Sequence, residues 1–307
     1  MKSVKKITGM GEVLWDLYPG EKHLGGAPAN VAIHAHRLGV HGFIASAVGQ
    51  DSLGDAIIGA LKKQGLSTFA IQRCRTHPTG TVRVRLDENG VPHFRCSRDT
   101  AFDHIHWNGE LEKLAHETDA VVVGTLAQRN PTSRRTIQRF LAETIGIVVF
   151  DVNFREWNET TGQAVLEILI HTDILKLNES ELHQMKSAFR KSKLRLVPFL
   201  DWLIENHHLK LIALSLGARG CLLSDGSAHV LSPGIIVEPV DTTGCGDGFV
   251  AGVIVKYLEH ASLEDTAEFA NYLGAFLSTR KGAAPVYTLH DVEEFRKTHS
   301  ERTDIQL

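Results

Sequence analysis

The sequence predicts an α/β fold: a central, mostly parallel sheet flanked by helices, with a small β-sheet set apart from it. Three observations carry this expectation. From about residue 110 onward, short apolar runs alternate with helical patterns, and strand–helix–strand order makes a parallel sheet covered by helices. The runs are apolar along most of their length, as strands buried on both faces should be. In the first hundred residues, by contrast, Thr81 to Leu86 alternates apolar and polar side chains ahead of a turn, which marks a hairpin with one wet face.

Composition bounds the answer. The 307 residues are 43% hydrophobic and 22% charged, ordinary globular usage that argues against disorder. We read them as a single domain over 1–307. The net charge of −3 supplies no basic field for nucleic acid or an anionic membrane. No run of 18 apolar residues appears, which rules out a spanning helix. Met1 to Gly9 has lysines but no apolar stretch, so no signal peptide is expected. Cys74, Cys96, Cys221 and Cys245 form no CxxC pair, so reduced thiols in a cytoplasmic protein are expected. The 17 histidines are scattered and read singly as surface or packing residues.

Taken in order, Val13 to Leu24 with Pro19-Gly20 at its centre predicts a loose hairpin. Gly25-Gly26-Ala27-Pro28-Ala29-Asn30 then runs into a helix with Val31, Ala32, Ala35 and Leu38 on its apolar side, stopped by Gly39. This is either a plain helix start or a close-approach surface for a small polar ligand, with Asn30 offering amide hydrogen bonds. Thr81–Leu86, the turn Asp87-Glu88-Asn89-Gly90 and the return Val91–Cys96 make the second hairpin. The segments at about 13–24 and 80–106 together form the small sheet, a lid or a dimer surface. Runs at 120–124, 147–151, 174–178 and 211–215 are the parallel strands, and helical patterns cover about 132–142, 161–171 and 179–190. Gly124, Asp151 with Asn153, Asn178 with Glu181, and Ser215 with Gly217 close those strands. Each alone reads as turn chemistry. Together they point to the crevice where open α/β sheets bind ligands.

The strongest local signal is Asp241-Thr242-Thr243-Gly244-Cys245-Gly246-Asp247-Gly248. An extended run, Gly234 to Val240, precedes it. The stripe Phe249, Val250, Val253, Ile254, Tyr257 and Leu258 follows it and predicts a buried helix. Free amides and the helix dipole at such a glycine-rich start suit an anion. Asp247 in the first turn either complements that dipole or takes a proton from a hydroxyl beside the anion cradle. There is no G-x-x-x-x-G-K-[ST], no H-E-x-x-H, and no G-x-G-x-x-G after the first strand.

Gly25 to Gly39 (GGAPANVAIHAHRLG) and Asp241 to Ile254 (DTTGCGDGFVAGVI) resemble the two signatures of the PfkB, or ribokinase-like, carbohydrate kinases. GEVLWD at Gly11–Asp16, DVNFR at Asp151–Arg155, Asn178-x-x-Glu181, SLGARG at Ser215–Gly220 and TRKGAAP at Thr279–Pro285 fall in order as further family-like landmarks. The resemblance implies a ribokinase-like fold with a β-sheet lid. It implies Asp247 as general base, with the backbone N–H groups of Gly244, Cys245, Gly246 and Asp247 as an anion hole. Asp16, Gly26 and Asn30 would hold the sugar, with Arg155 a candidate contact to substrate or phosphate and Arg98 another to the sugar. Asn178, Ser215, Gly217, Gly220 and Asn271 would line the ATP site, with Asn178 and Glu181 organising Mg²⁺ through water. Asp241, Thr243, Leu277, Arg280 and Gly282 would resemble the K⁺ site, and a homodimer through the lid would be plausible for the family. Cys245 stands where alanine is common, Gly248 where serine is common, and GGAPAN replaces GGKGAN. With GEVLWD and DVNFR, this looks like the fructokinase branch. The implied activity is ATP-dependent phosphorylation of a hexose, D-fructose at its 6-hydroxyl. The alternatives are 2-keto-3-deoxygluconate, ribose or a nucleoside as acceptor, or a non-catalytic sugar or nucleotide sensor.

Overall fold

The structure is a computed structural model that describes residues 4–86, 92–154 and 157–305. The turn expected at Asp87–Gly90, and Arg155, lie outside the described residues. The strands are β1 (Lys6–Met10), β2 (Leu14–Tyr18), β3 (Glu21–Gly25), β4 (His41–Gly49), β5 (Ile71–Cys74), β6 (Gly80–Leu86), β7 (Pro92–Cys96), β8 (Ala120–Val123), β9 (Ile147–Asp151), β10 (Ile174–Asn178), β11 (Leu211–Ser215), β12 (Gly220–Ser224) and β13 (His229–Pro233). The helices are α1 (Ala27–Arg37), α2 (Ser52–Lys63), α3 (Gly109–Glu117), α4 (Pro131–Glu143), α5 (Glu159–Leu169), α6 (Glu179–Ala188), α7 (Leu196–His207), α8 (Cys245–Leu258), α9 (Leu263–Ser278) and α10 (Leu289–Thr298). Among the described residues, no helix is long and apolar enough to cross a membrane.

Among the described residues, nine strands make one sheet in the order β13-β12-β11-β10-β9-β8-β1-β4-β5. β5 to β11 along that order pair in parallel, and β12 and β13 add an antiparallel edge. The four runs expected between 120 and 215 are β8 to β11, side by side. Their alternate side chains serve two layers. Val121, Val123, Phe150, Leu177 and Leu214 pack with Ile137, Phe140, Ile168 and Phe199. Val122, Val149, Ile174 and Ala213 pack with Val31, Val250, Ile254 and Leu273. A period of two places these sets on opposite faces, so a strand between two helical layers is apolar along most of its length.

Helix starts follow their caps. Asn108, Asn130, Asn158, Asn178, Ser262 and Thr288 each accept an N–H from the first turn that follows, satisfying donors that have no intrahelical partner. Helix α8 is buried from Gly248 to Val255, as its all-round apolar sequence requires. The run Gly234–Val240 is no strand; it makes a single bridge, Ile235 to Arg302.

The second sheet has the order β3-β2-β6-β7. Two antiparallel hairpins, β2–β3 and β6–β7, join through a parallel β2–β6 pairing, so this sheet is mixed. β1 ends at Met10 and β2 begins at Leu14, so the small sheet starts from the carboxyl edge of the large one.

Candidate active site

A cavity of about 1390 Å³ opens where the two sheets meet. Leu14, Asp16 and Val82 line it from the small sheet, Asp151 and Lys176 from the large one, and Gly244, Gly246 and Asp247 from the start of α8.

The start of α8 is shaped by Asp241 and Gly244. Asp241 accepts the Thr243 N–H and the Gly282 N–H, each at 2.9 Å. Burial opposes its charge, but those bonds outweigh it and hold the carboxyl below the usual carboxylate range. Gly244 is the N-cap at φ 76°, and a Cβ there would lie 2.2 Å from the Ala283 carbonyl oxygen, so only glycine fits. Behind the Ala283 carbonyl sits buried His34, bonded to that oxygen and to the Tyr287 hydroxyl, both at 3.0 Å. Burial pushes its pKa down to about 3, so it stays neutral.

The N–H groups of Gly244, Gly246 and Asp247 meet no acceptor among the described residues. The Cys245 N–H differs from expectation, since it donates to the Thr242 carbonyl at 3.3 Å. The Cys245 thiol is pushed up to about 12, by burial first and by the Asp241 and Asp247 charges next, so it stays protonated. Gly248 has a packing reason. A Cβ there would lie 2.0 Å from Cδ1 of Leu277, which is itself buried. Gly248→Ser should cost about 1–3 kcal/mol through overpacking, read as a lowered midpoint in urea unfolding.

Asp247 reaches the cavity floor, in contact with solvent there. Its Oδ2 accepts the Asn30 side-chain N–H at 2.8 Å. Its pKa is pushed up to about 7, by burial first and the Asp151 charge next, with Asn30 and Lys176 pulling the other way. Asn30 comes from the first turn of α1, whose N-cap Gly26 at φ 109° has no room for a Cβ beside the Glu12 carbonyl, only 2.4 Å away. Among the described residues the buried Asn30 Oδ1 has no partner, which leaves it an acceptor for a ligand hydroxyl.

Lys176 is one functional candidate that the sequence did not reveal. It lies in a strand that reads as apolar, and a lysine in a strand buried on both faces is the signal available. Its Nζ bonds Asp151 Oδ1 at 2.9 Å and would lie 3.5 Å from a Cβ on Gly246, which puts the ammonium beside the glycine turn. Burial lowers its pKa, and the Asp151, Glu181 and Asp247 charges reverse that and raise it.

Glu12 is a second omission. It lines the cavity with one carboxyl oxygen that has no partner among the described residues, and burial pushes its pKa up to about 7. A carboxyl raised above its unfolded value costs nothing below the unfolded pKa of 4.5 and its full penalty above the folded value of about 7. Glu12→Gln should therefore be more stable than the wild type at pH 8, by on the order of 2–3 kcal/mol, and no more stable at pH 4. Urea unfolding at the two pH values reads the difference.

The remaining expected residues fall into groups. Asp16, Gly26, Asn30, Arg98 and Thr243 line the cavity. A Cβ on Gly25 would lie 2.3 Å from Asp16 Oδ2, so that glycine makes room for the carboxylate. Asn178, Glu181, Ser215, Gly217, Gly220 and Asn271 lie outside this lining. Asn178 and Ser215 are register partners at the ends of β10 and β11. Asn178 and Glu181 cap each other at 2.9 and 2.7 Å. Ser215 donates to the Leu177 carbonyl at 3.3 Å. Gly217 and Gly220 have φ of 61° and 108°. Asn271 spends its amide N–H groups on Ser232 and the Pro233 carbonyl. The Leu277 carbonyl accepts the Arg280 N–H at 2.9 Å, which folds the 277–282 turn against Asp241.

Comparison with known proteins supplies relatives. An uncharacterized sugar kinase of Pyrococcus horikoshii is 32% identical over 298 residues, 90% of this chain and 91% of its own. Its crystal structure superposes with a TM-score of 0.80 over 95% of this chain and 97% of its own, at 29% identity. Fructokinase-1 of Zea mays is 28% identical over 306 residues, 91% of this chain and 93% of its own. The structure of a Vibrio cholerae fructokinase bound to fructose, ADP and calcium has a TM-score of 0.80 at 26% identity, covering 95% of this chain and 99% of that one. The pfkB family of carbohydrate kinases matches residues 17–288, a span that holds both the Asn30 helix and the Asp247 turn, and the chain belongs to that family.

Proposed function

We propose that the protein transfers the γ-phosphoryl group of ATP to a hydroxyl of a hexose, with D-fructose and its 6-hydroxyl as the acceptor. The observation that carries this reading is Asp247. Its carboxyl has a pKa of about 7, close to the ideal for a general base at neutral pH, and it stands at a helix start among unpaired amides. In the step, Asp247 takes the hydroxyl proton as the hydroxyl oxygen bonds the γ-phosphorus. The bond to the bridging oxygen breaks, and ADP leaves with the electron pair. The Gly246 and Asp247 amides, the α8 dipole and the Lys176 ammonium face the charge on the transferring group. Asp16, Gly26 and Asn30 hold the sugar against the small sheet. Fructose is favoured by the fructokinases among the relatives, and ATP by the Pyrococcus sugar kinase crystallised with it.

The nucleotide would lie along Asn178, Ser215, Gly217, Gly220 and Asn271. Asn178 and Glu181 fit Mg²⁺, since Glu181 is a buried carboxylate close enough to raise the Lys176 pKa. When bound, Mg²⁺ neutralises phosphate charge. Asp241, Thr243, Leu277, Arg280 and Gly282 fit a monovalent cation: an ionised carboxylate bridges two loops that carry hard oxygen donors. Turnover should rise when K⁺ replaces a bulky organic cation; equal rates in the two salts refute the cation site.

The test is a panel of hexoses, pentoses, nucleosides and 2-keto-3-deoxygluconate with ATP. ADP release is coupled to a readout and the product is identified by mass and phosphorus NMR. Fructose 6-phosphate as the fastest product supports the proposal. A faster acceptor replaces fructose. ATP binding with turnover of no acceptor makes the protein a sensor.

A further inference from the structure

The chain enters the β6–β7 hairpin through Cys74 to Thr79 and leaves it through Ser97 to His104. These two feet meet at three side chains. The His77 and His104 rings stack with centroids 3.6 Å apart and planes 13° from parallel. Both Nε2 atoms face Asp99 Oδ1, at 3.6 Å from His77 and 2.7 Å from His104. One donor atom from each residue falls within a sphere of contacts no wider than 4.8 Å.

We propose that His77, Asp99 and His104 form a binding site for a divalent transition metal of the zinc, nickel or copper type, joining the two feet of the lid hairpin. Two imidazoles with one carboxylate suit these ions rather than Mg²⁺ or Ca²⁺, which prefer all-oxygen shells. An ion about 2.0–2.2 Å from each donor sets neighbouring donors roughly 3.3 Å apart. The observed 2.7 and 3.6 Å separations bracket that spacing, and because an ion lies in the plane of each imidazole that binds it, the two stacked rings must swing apart until both Nε2 lone pairs meet beside Asp99. His77 Nδ1 is engaged by the Thr76 hydroxyl at 2.9 Å and lies 3.6 Å from Cys74 Sγ. That outer contact orients the ring and leaves Nε2 toward Asp99. The side chains are 24%, 70% and 17% exposed for His77, Asp99 and His104, so an ion can enter from solvent and keep water on its open side. Asp99 and the neighbouring Arg98 also line the large cavity, so the ion would fix part of its lip.

The test uses the metal-free full chain, titrated with Zn²⁺ by calorimetry and with Co²⁺ by visible absorption. The expected result is one equivalent bound, with ligand-field bands. His77→Gln and His104→Gln should each weaken binding at least about tenfold. Wild-type stoichiometry and affinity in the double variant overturn the proposal. A second measurement needs no variant. Zn²⁺ should protect His77 and His104, but not exposed His183, from diethyl pyrocarbonate, read by peptide mass. Equal modification of all three with and without Zn²⁺ overturns it too.

Discussion

Asp247→Asn is expected to fold as the wild type does and to lose about 10²–10⁴ of the phosphoryl-transfer rate. The substitution keeps the shape and an acceptor oxygen for the Asn30 amide, now 2.8 Å from Asp247 Oδ2, while removing the group that takes the proton. Stability should not fall. The Asp247 pKa is raised in the folded state to about 7, so its ionised form is a cost above that pH which asparagine does not carry. In the wild type, kcat/KM should drop tenfold per pH unit as pH falls below about 7, because the base must be ionised. The variant's residual rate should lack that limb. Coupled assays from pH 5 to 9, with a thermal melt of each protein, check both halves. A variant turning over at near wild-type rate removes Asp247 from the role of base.

Lys176→Met should damage both stability and rate. Lys176 and Asp151 are almost fully buried and bonded at 2.9 Å, and the second Asp151 oxygen has no partner among the described residues. Removing the ammonium strands a buried carboxylate, which costs about 3–5 kcal/mol. The rate should also fall, by about 10²–10³, the range for losing one donor aimed at developing charge. The double variant Lys176→Met with Asp151→Leu separates the two effects. It should regain most of the stability, because an apolar pair replaces the ions, and none of the rate. Recovery of turnover in the double variant would make Lys176 a structural residue only. Urea unfolding and saturating-substrate kinetics on the three proteins decide this.

The outcomes depend on features of unequal legibility. β8 to β11 could be read because each run is apolar along most of its length, a pattern that two-sided burial imposes locally. β1, β4 and β5 complete the parallel part of the sheet, yet β4 mixes Gly42, Ala45, Ser46, Ala47 and Gly49 with larger residues, and small residues carry little strand signal. They are small because the structure is close there: a Cβ on Gly42 would lie 2.1 Å from the Ala32 carbonyl oxygen of α1. The Asn178–Glu181 pair was legible as residues. Its reciprocal cap shows that orienting α6 is one of its tasks, whatever else it holds. His77, Asp99 and His104 could not be found among 17 scattered histidines, since the two feet of a hairpin meet only once its strands pair.

By itself the sequence determined the layered α/β plan, the glycine-rich start of α8 and the place of Asp247 in its first turn, because periodicity, caps and glycine torsions act within a few residues. Tertiary structure alone decided what surrounds that carboxyl. Asn30 reaches it from 217 positions away, and Lys176 and Asp151 come from two neighbouring strands. The physical reason is that desolvation and charge act through space, so the pKa of Asp247 is a sum over segments that parallel crossovers bring to one edge of the sheet.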